Sequence, residues 1–558
     1  MSIKSKIIIY SLLGVSLTSC KKYLDINTDP NNPTTIADAK LLPTAQKSIG
    51  NGLSTGSNTG GFSEVLAVYM HQMSTREEPD QYGARATNFF LEEAWPDLYL
   101  SVIGNLDQII THSTEAGNPR YAGIAKILKA YTYSQIVDVF GDVPFSEVGQ
   151  LKEGNRYPKF DDDAEIYPQL FTLLDEGIAD VKNPDNVLVP GSDDIMYGGN
   201  AGLWEKAANT IKFKLLVQQR KIKNISADVT ALLNGPLISK TSESFVVPYG
   251  PNGATDDRNL GFQDYTASQR ANNVSPWLYE IMKGYNTQIM AGNPDPRVPY
   301  YIFNQLTKTA LPNGQTEYRD SGFVSIYFGS GGPDRDRGQQ TSYSLWGIYP
   351  VGGRYDDGLG GVGSASSGTG AAPYKLITYA DRLYLEAELM KEGVIPGDAR
   401  AKFQEALDES FKQVDYVITA FVKPSQTVPL LATNPAVTTY MNKVMAEYDA
   451  KPTKQLEMIM TQKWLSSMGS SVDQYTDYRR TGFPVLFDPN NPAMAPGGFV
   501  QPPINGDPVG NPGAQKPVPV SLSREYPLSL PWPQTEIDVN PNAPAPKAPS
   551  SYKVFWMP

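Results

Sequence analysis

Residues 130–145 read AYTYSQIVDVFGDVPF, and this stretch carries the clearest structural signal in the chain. Apolar side chains recur at helical spacing before and within it, so the pattern predicts a helix from Arg120 to Val139. Gly141 and Pro144 follow at once, and these residue types end a helix and form a tight turn. The stretch therefore predicts a long helix that stops in a turn, which is a structural element and not a ligand site.

The same helical period returns in several other segments of the chain. The further candidate helices are Ala94 to Ile110, Asp163 to Val181, Leu203 to Arg220, Tyr374 to Met390, Ala399 to Phe411 and Gln455 to Met468. Helices of this length in antiparallel pairs predict a mainly α fold with an α-superhelical core of tetratricopeptide-like helix pairs. No clean repeat of roughly 34 residues is visible, so the pairs must be diverged and interrupted.

Two interruptions differ in composition from the helical segments. Residues 322–370 hold 14 glycines together with several aromatic residues, and residues 484–549 hold 17 of the 45 prolines. Neither composition forms regular helix or central strand, yet the aromatic side chains require burial. We therefore expect long irregular loop insertions and an irregular Pro/Gly-rich lobe packed on the helical core.

The start of the chain explains its single cysteine. Lys4 and Lys6 precede an apolar run over residues 7–17, which has the length of a signal sequence and is too short to span a bilayer. Residues 17–20 read LTSC and resemble a bacterial lipobox, in which the cysteine receives the lipid. The alternative is a plain secretory signal followed by a chance cysteine. We expect lipidation at Cys20, since the only cysteine of 558 residues stands where the motif requires it.

These patterns predict the organisation of the chain. The predicted parts are a lipoprotein signal peptide over 1–19, a lipid-anchored tether over 20–35, and one domain over 36–558. Within that domain we expect a helical core over about 36–225 and 374–482. A loop-rich ligand lobe is expected over about 240–373 and 483–558.

Composition excludes several classes of function. A net charge of -11 argues against nucleic-acid binding, and one cysteine with two histidines leaves no Cys-based zinc site. Residues 358–363 match G-x-G-x-x-G, but more loop follows where a dinucleotide fold needs a helix. Neither a P-loop nor a G-x-S-x-G or H-E-x-x-H motif is present. We expect no catalytic residues, no metal and no cofactor, and therefore no enzyme.

Some acidic and histidine residues could bind a ligand or a metal, but each also has a purely structural explanation. Residues 161–163 are three aspartates that could bind calcium, but they lack the spacing of an EF-hand and suit a helix N-terminus better. His71 follows an apolar run and is expected to be a packed or loop residue rather than a ligand.

Five segments taken together resemble the SusD/RagB family of outer-membrane nutrient-binding lipoproteins. The most specific is the helix and FGDVP turn within residues 130–145; the others are residues 20–31 (CKKYLDINTDPN), 373–388 (PYKLITYADRLYLEAE), 462–482 and, more loosely, 526–540. The last of them lacks the arginine that usually precedes Leu530-Pro531. The segments keep the order of the family and span nearly the whole mature chain.

The resemblance implies a protein on the outer face of a Gram-negative outer membrane. Family members carry tetratricopeptide-like helices and an irregular lobe, cap a SusC-like TonB-dependent barrel transporter, and hand it glycans or, in some members, peptides. The resemblance also implies a structural role for residues 478–480, whose side chains are expected to join helix and lobe by hydrogen bonds. The ligand contacts of the family vary and supply no motif to carry over.

We expect the ligand site in aromatic loops, because Tyr and Trp stack on sugar rings while neighbouring polar groups bind hydroxyls. The candidate ligand-binding residues are Arg76, Asp80, Gln81, Tyr82, Tyr327, Trp346 and Tyr349. Trp95 is expected in the core.

The favoured function is a cell-surface, glycan-binding lipoprotein that delivers oligosaccharides to a SusC-like transporter. One alternative is a peptide-binding member of the same family. A second is a tethered glycoside hydrolase, which would need two carboxylates facing each other across an aromatic groove.

Overall fold

The computed structural model describes most of the chain beyond the predicted tether. The described residues are 36–56, 60–76, 81–83, 89–151, 153–267, 270, 272–310, 312–335, 337–500 and 516–558. Cys20 and the predicted signal peptide and tether lie outside them. No helix among the described residues has both the length and the apolar character needed to cross a membrane.

The described residues form a mainly α fold. The helices are α1 (Asp38–Leu53), α2 (Phe62–Tyr69), α3 (Phe89–Pro96), α4 (Asn105–Ala116), α5 (Pro119–Phe140), α6 (Asp163–Lys182), α7 (Ala201–Gln219), α8 (Ser226–Leu233), α9 (Pro276–Met282), α10 (Val298–Tyr301), α11 (Ile348–Val351), α12 (Tyr379–Lys391), α13 (Ala399–Tyr416), α14 (Pro435–Ala450), α15 (Gln455–Ser466), α16 (Ser471–Thr481) and α17 (Gln534–Val539). π-Helical turns at Asp97–Gly104 and Val417–Val422 continue α3 into α4 and extend α13.

The strands are short and pair two by two. They are β1 (Met73–Thr75), β2 (Val143–Pro144), β3 (Phe160–Asp161), β4 (Phe245–Val247), β5 (Asn272–Val274), β6 (Ile302–Phe303), β7 (Tyr318–Asp320), β8 (Phe323–Ser325), β9 (Leu345–Trp346), β10 (Tyr374–Ile377), β11 (Phe499–Val500) and β12 (Val518–Pro519). The antiparallel pairs are β1–β5, β2–β3, β4–β10, β6–β9, β7–β8 and β11–β12. These pairs brace the loops but form no extended sheet in the described part of the chain.

The helix predicted around residues 120–139 is confirmed as α5. Pro119 occupies its first turn, where the missing N–H costs nothing, and Gly141 ends it with φ 77°, a conformation that favours glycine. The following Val143 and Pro144 turn the chain back and pair with β3.

The helix predicted from Tyr374 begins later than expected. Residues 374–377 are strand β10, and α12 starts at Tyr379. The side chain of Thr378 accepts a hydrogen bond from the backbone N–H of Asp381, while the Asp381 carboxylate accepts one from the N–H of Thr378. This reciprocal cap fixes the helix start, which apolar periodicity alone does not mark.

Consecutive helices pack on one another and bury one large apolar core, with two smaller apolar clusters beside it. α4 packs on α5, α5 on α6, α6 on α7, and α12 on α13, as expected for tetratricopeptide-like pairs. Helix α16, late in the chain, packs on α2 and α5, so the two helical stretches join. The predicted fold class is confirmed, whereas the division into core and ligand lobe stays a prediction.

Two glycines allow the closest of these helix contacts. A Cβ on Gly123 of α5 would lie 2.7 Å from the carbonyl oxygen of Gly177 and 2.7 Å from the backbone nitrogen of Val181. Both obstacles are backbone atoms of α6, which cannot rotate away. The helices therefore approach more closely than side chains would permit.

Gly123→Ala is accordingly expected to lower the free energy of unfolding by about 1–3 kcal/mol, because the added methyl group overpacks a backbone contact. Denaturant unfolding measures the change. The matched control is Gly202→Ala in the first turn of α7, where the nearest heavy atom lies 3.5 Å from the new Cβ. That variant should be neutral or more stable by up to about 1 kcal/mol, since alanine favours helix. Equal stability of the two variants would contradict the expectation.

Arg479 joins the helical core to the C-terminal segment, as the sequence predicted for residues 478–480. Its Nη1 donates to the carbonyl of Leu528 at 2.8 Å, and Nη2 donates to the carbonyl of Asp138 in α5. The guanidinium also lies over the ring of Tyr475, 3.8 Å from its centroid. One buried side chain thus connects α16, α5 and residues 527–530.

A buried ionic network lies beside it. Glu388 of α12 is fully buried and pairs with Arg480 of α16, with Nη2 and Oε2 2.8 Å apart, and with Arg220 after α7, with Nε and Oε1 2.6 Å apart. Arg480 also pairs with Asp477 at 2.8 Å, and Asp477 with Lys463 at 2.6 Å. The network links α12, α15 and α16 with the residue that follows α7.

Candidate functional site

A groove of about 490 Å³ opens between the turn at residues 81–83 and the C-terminal segment. Its lining residues are Tyr82, Gly83, Arg524, Glu525, Pro527, Pro531, Trp532, Gln534, Ile537, Pro546, Lys547, Pro549 and Ser550. Four prolines and two aromatic residues supply much of the apolar wall, and a few polar groups converge on it. This combination is typical of a small-molecule or oligosaccharide site.

Trp532 forms one wall and is held in place on several sides. Its Nε1 donates to the carbonyl of Asp142 at 2.9 Å. Its ring packs edge to face with Phe160 and Tyr552, at centroid distances of 5.5 and 5.7 Å. The ring is therefore a fixed surface, and 7% of the residue remains exposed.

The segment that carries Trp532 is irregular, and hydrogen bonds to the helical core fix its course. The N–H of Leu530 donates to the carbonyl of Val139 at 2.7 Å. The N–H of Gln534, at the start of α17, donates to the Glu92 carboxylate at 2.8 Å. Nδ2 of Asn540 donates to the carbonyl of Pro158 at 2.8 Å. A proline-rich segment lacks helical hydrogen bonds of its own, so these anchors decide its position.

Lys547 places a cation against the aromatic wall. Its Nζ lies 4.3 Å from the centroid of Trp532 and 4.2 Å from that of Tyr552, and it donates to the carbonyl of Phe140. Burial lowers the pKa of Lys547 well below its usual range, and the charge of Asp142 opposes this only in part. The amine is therefore held without an ion-pair partner among the described residues.

Arg524 closes the groove on the opposite side. Its guanidinium lies directly on Gly83, where a Cβ would come within 1.5 Å of Nη1. Arg524, Glu525 and Gln534 are exposed, so hydrogen-bonding groups face the solvent-filled space beside the prolines.

Tyr82 connects the groove to the core. Its hydroxyl lies 3.0 Å from Nε2 of His71, and its ring packs on Phe328 and Tyr526 at 5.1 and 5.2 Å. His71 is fully buried and stacks on Phe328 at 3.8 Å, which confirms it as a packed histidine. Burial lowers the pKa of His71 to about 3.

The buried His71 predicts acid sensitivity. A histidine whose folded pKa lies below its unfolded value of about 6.5 contributes stability above that value and loses it as pH falls toward the folded pKa. His71→Asn suits the local backbone, because φ at this residue is 53° and asparagine tolerates that region. We expect the stability difference between wild type and variant to narrow by about 2 kcal/mol from pH 7 to pH 5. Urea unfolding at each pH measures it, and parallel pH profiles would contradict it.

The structure brings few of the predicted site residues together. Tyr82 lines the groove, and Arg76 is half-buried nearby in sequence, after β1. Gln81 is buried and exchanges hydrogen bonds of 3.2 Å with the backbone of Thr75, so it shapes the turn. Asp80 lies outside the described residues.

The three aromatic residues predicted in the glycine-rich insertion do not line the groove. Tyr327 and Tyr349 are 0% exposed and Trp346 is 4% exposed. The Tyr349 hydroxyl donates to the carbonyl of Ser466 at 2.8 Å, and its ring stacks on Tyr301 at 4.8 Å. These side chains pack in the core, because the insertion folds inward and covers its aromatic residues instead of presenting them to solvent.

Sequence reasoning predicted a ligand lobe that includes residues 483–558, where most of the groove lies, but it named none of the groove residues there as ligand-binding candidates. Arg524 and Lys547 stand in no motif, and Trp532 was expected only as a buried aromatic residue of the proline-rich stretch. The proline load of residues 484–549 was the available signal, since prolines supply rigid apolar surface without needing secondary structure.

The aspartates near the groove act as caps. The carboxylates of Asp142, Asp162 and Asp163 offer oxygens within 4.8 Å of one another, a spacing that suits a hard cation. Each already accepts a backbone N–H, from Asp163, Ala164 and Phe555 respectively. Asp162 caps α6, as the sequence predicted. Burial raises the pKa of Asp163 to about 6.

Comparison with known proteins decides the family. The model of a SusD-like family described as "Starch-binding associating with outer membrane" matches residues 30–501. The chain belongs to the SusD-like family. This confirms the resemblance drawn from the sequence motifs. No protein among the curated ones matches the chain.

Solved structures agree with this SusD-like fold. A chitin-binding protein is 18% identical, with a TM-score of 0.63, 91% of this chain and 95% of that chain covered. A SusD/RagB family protein from Bacteroides thetaiotaomicron is 20% identical, with a TM-score of 0.63 and coverages of 94% and 99%. A SusD homolog from Bacteroides uniformis is 18% identical, with a TM-score of 0.60 and coverages of 93% and 99%. At these identities the likeness establishes the fold alone.

Proposed function

We propose that this SusD-like protein is anchored on the outer membrane surface through a lipid on Cys20, captures oligosaccharides in the groove, and delivers them to a SusC-like TonB-dependent barrel transporter. The groove carries the proposal. Its proline rings and the small exposed part of Trp532 offer apolar surface to a sugar, while Arg524 and Gln534 are placed to bind hydroxyls. The family description as starch-binding and outer-membrane-associated supports the same assignment.

The proposed role is binding without turnover. Glycoside hydrolysis needs two carboxyl groups about 5–9.5 Å apart across the scissile bond. Glu525 is the single carboxylate among the described residues that line the groove. The groove therefore supports capture and release rather than cleavage.

Calorimetry on the mature chain tests the proposal. The panel contains maltooligosaccharides, chitooligosaccharides and an unrelated plant glycan, and each sample is analysed by chromatography after the titration. We expect binding of at least one glycan, recovered uncleaved. Binding of none, or recovery of shortened chains, would overturn the proposal. Binding of oligopeptides and of no glycan would assign the groove to peptide capture instead.

A pair of arginine variants locates the binding. Arg524→Ala removes a donor from the groove and is expected to weaken the affinity for the bound glycan about tenfold. Arg400→Ala in α13 removes an exposed arginine that pairs with Asp449 away from the groove, and it should change the affinity less than about twofold. Equal affinities of the two variants would place the ligand elsewhere.

Anchor and partner are tested in cells. Cys20→Ala should release the protein from the outer-membrane fraction and abolish incorporation of radiolabelled palmitate. A barrel transporter should co-purify with the wild-type protein from solubilised membranes. A protein that stays in the membrane fraction without Cys20 would contradict the anchor.

A further inference from the structure

A second cavity, of about 80 Å³, lies in the helical part of the molecule. It is bounded by the strand pair β4–β10, the turn at residues 241–244, and the end of α13. Its lining residues are Met196, Tyr197, Thr241, Ser242, Ser244, Val246, Pro373, Lys375, Thr378, Gln413, Tyr416, Val417 and Phe421. It shares no lining residue with the groove.

Lys375 of β10 forms its floor, and this lysine is unusual. The residue is 4% exposed, and among the described residues it forms neither an ion pair nor a hydrogen bond. Its Nζ lies over the ring of Tyr349, 4.5 Å from the centroid. Buried ammonium groups are normally paired, because losing water without a partner is costly.

An unpaired acceptor lies in the same cavity. Gln413 of α13 is 3% exposed, and its Nε2 donates to the Tyr349 hydroxyl at 2.7 Å. Its Oε1 is buried and has no hydrogen-bond partner among the described residues. The lysine and the amide oxygen do not bond to each other, so the cavity presents one unused cation and one unused acceptor.

The rim of the cavity is accessible and mixed in character. Ser242 is exposed, and Tyr416 and Phe421 are half-buried with their rings 5.8 Å apart, edge to face. Hydroxyl groups of Thr241, Ser242 and Ser244 add neutral polar surface. A small polar molecule can therefore reach the lysine without crossing the core.

We propose that this cavity binds a small carboxylate that carries a hydrogen-bond donor on the adjacent carbon, as in a hydroxy acid or an amino acid. The carboxylate pairs with Nζ of Lys375, and the neighbouring hydroxyl or ammonium donates to Oε1 of Gln413. The cavity volume suits such a group, since it corresponds to the space that about two to three water molecules occupy in the liquid. One ligand thus satisfies both groups that the fold leaves unpaired.

The protonation of Lys375 agrees with this geometry. Burial lowers the pKa of Lys375 to about 8, and the charge of Asp381 opposes the shift. Oδ2 of Asp381 accepts hydrogen bonds from the N–H and the hydroxyl of Thr378, at 2.9 and 2.7 Å, while Oδ1 is buried without a hydrogen-bond partner among the described residues. A bound carboxylate would favour the ammonium form and raise this pKa.

Titrations with glycolate, glycine and acetate test the proposal, with chloride as the ionic-strength control. NMR of ¹³Cε-labelled lysine follows Lys375 in the wild-type protein, and we expect its titration midpoint to move upward from about 8 when glycolate or glycine is present. A larger pKa shift with glycolate than with glycine identifies a hydroxyl as the preferred donor, and a larger shift with glycine identifies an ammonium group. No shift with any carboxylate, or an equal shift with acetate and with both other ligands, would overturn the proposed ligand class.

Matched lysine variants complete the test. Lys375→Met keeps the apolar stem and is expected to weaken binding at least about tenfold, as measured by calorimetry. Lys412→Met removes an exposed charge from the neighbouring position of Gln413 on α13 and should leave the affinity within about twofold. Unchanged affinity in Lys375→Met would overturn the proposal. The wild-type NMR titration decides the question even if that variant does not fold.

Discussion

Replacing Glu388 by glutamine is expected to lower the free energy of unfolding at neutral pH by about 3–5 kcal/mol. Glu388 is the shared carboxylate of Arg480 and Arg220, and it is 0% exposed. Glutamine has nearly the same shape but no charge, so Arg480 would keep only Asp477 as a counter-charge and Arg220 only the 3.4 Å contact with Glu392. The cost comes from leaving two guanidinium groups with less compensation in the interior, more than from the lost attraction itself.

The pKa of Glu388 determines how the stability difference between wild type and Glu388→Gln changes with pH. Burial alone would raise the pKa of Glu388, but Arg480 and then Arg220 lower it overall. A carboxylate with a lowered folded pKa contributes stability above its unfolded pKa of about 4.3 and loses it as pH falls through the folded value. The gap between wild type and Glu388→Gln should therefore be complete at neutral pH and shrink below about pH 4.

Guanidinium chloride is unsuitable here because its salt screens charges, so urea unfolding with a circular-dichroism readout is the measurement. Glu392→Gln is the matched control, because Glu392 also pairs with Arg220, at 3.4 Å, but is partly exposed. Glu392→Gln should lower the free energy of unfolding by less than about 1 kcal/mol. Similar losses of unfolding free energy in both variants would show that the burial of Glu388 does not determine its contribution to stability.

Arg479→Met is expected to lower the free energy of unfolding by about 3 kcal/mol, since it leaves the buried carbonyls of Asp138 and Leu528 without their donor. Methionine can keep an apolar contact with Tyr475, but it loses the guanidinium over that ring together with the hydrogen bonds. The loss should extend to function, because Leu528 lies between the groove-lining residues Pro527 and Pro531. We expect weaker glycan binding together with faster amide exchange in residues 524–550.

Hydrogen exchange followed by mass spectrometry measures the local effect, and calorimetry measures the glycan affinity. Arg400→Met, an exposed arginine on α13, is the control and should change neither. Faster exchange spread evenly over the whole chain would contradict the specific tie between α16 and the C-terminal segment.

Sequence periodicity predicted the helices well where one face is apolar and the ends carry recognisable residues. α5 ends at Gly141 as predicted, and α6 begins after the Asp162 cap. The prediction for residues 374–390 was wrong at its start, because strand β10 is also apolar and only the Thr378 cap separates it from α12. Local patterns identify an element but mark its ends only where capping chemistry is visible.

The candidate site was far less predictable. The aromatic residues of the glycine-rich insertion looked suited to stacking, and the fold buried Tyr327, Trp346 and Tyr349. Whether a residue is buried depends on the residues that pack against it, and these come from distant parts of the chain. Tyr82 was correctly expected at a loop, but its partners across the groove follow more than 400 residues later.

The amino-acid sequence by itself determined the class of fold and the family, since these depend on local spacing and on motifs in a fixed order. The hydrogen bond between helix and lobe that the resemblance implied for residues 478–480 is made by Arg479, whereas Arg480 pairs within the helical core. Only the tertiary structure decided where the groove and the cavity lie. The groove forms because Leu530, Gln534 and Asn540 hydrogen-bond to backbone and carboxylate groups of residues 92–158 and carry Trp532 to the turn at Gly83. The cavity at Lys375 likewise exists because β4, β10 and α13 meet around a lysine that none of them pairs. Such sites are made by long-range contacts, and no single stretch of sequence contains them.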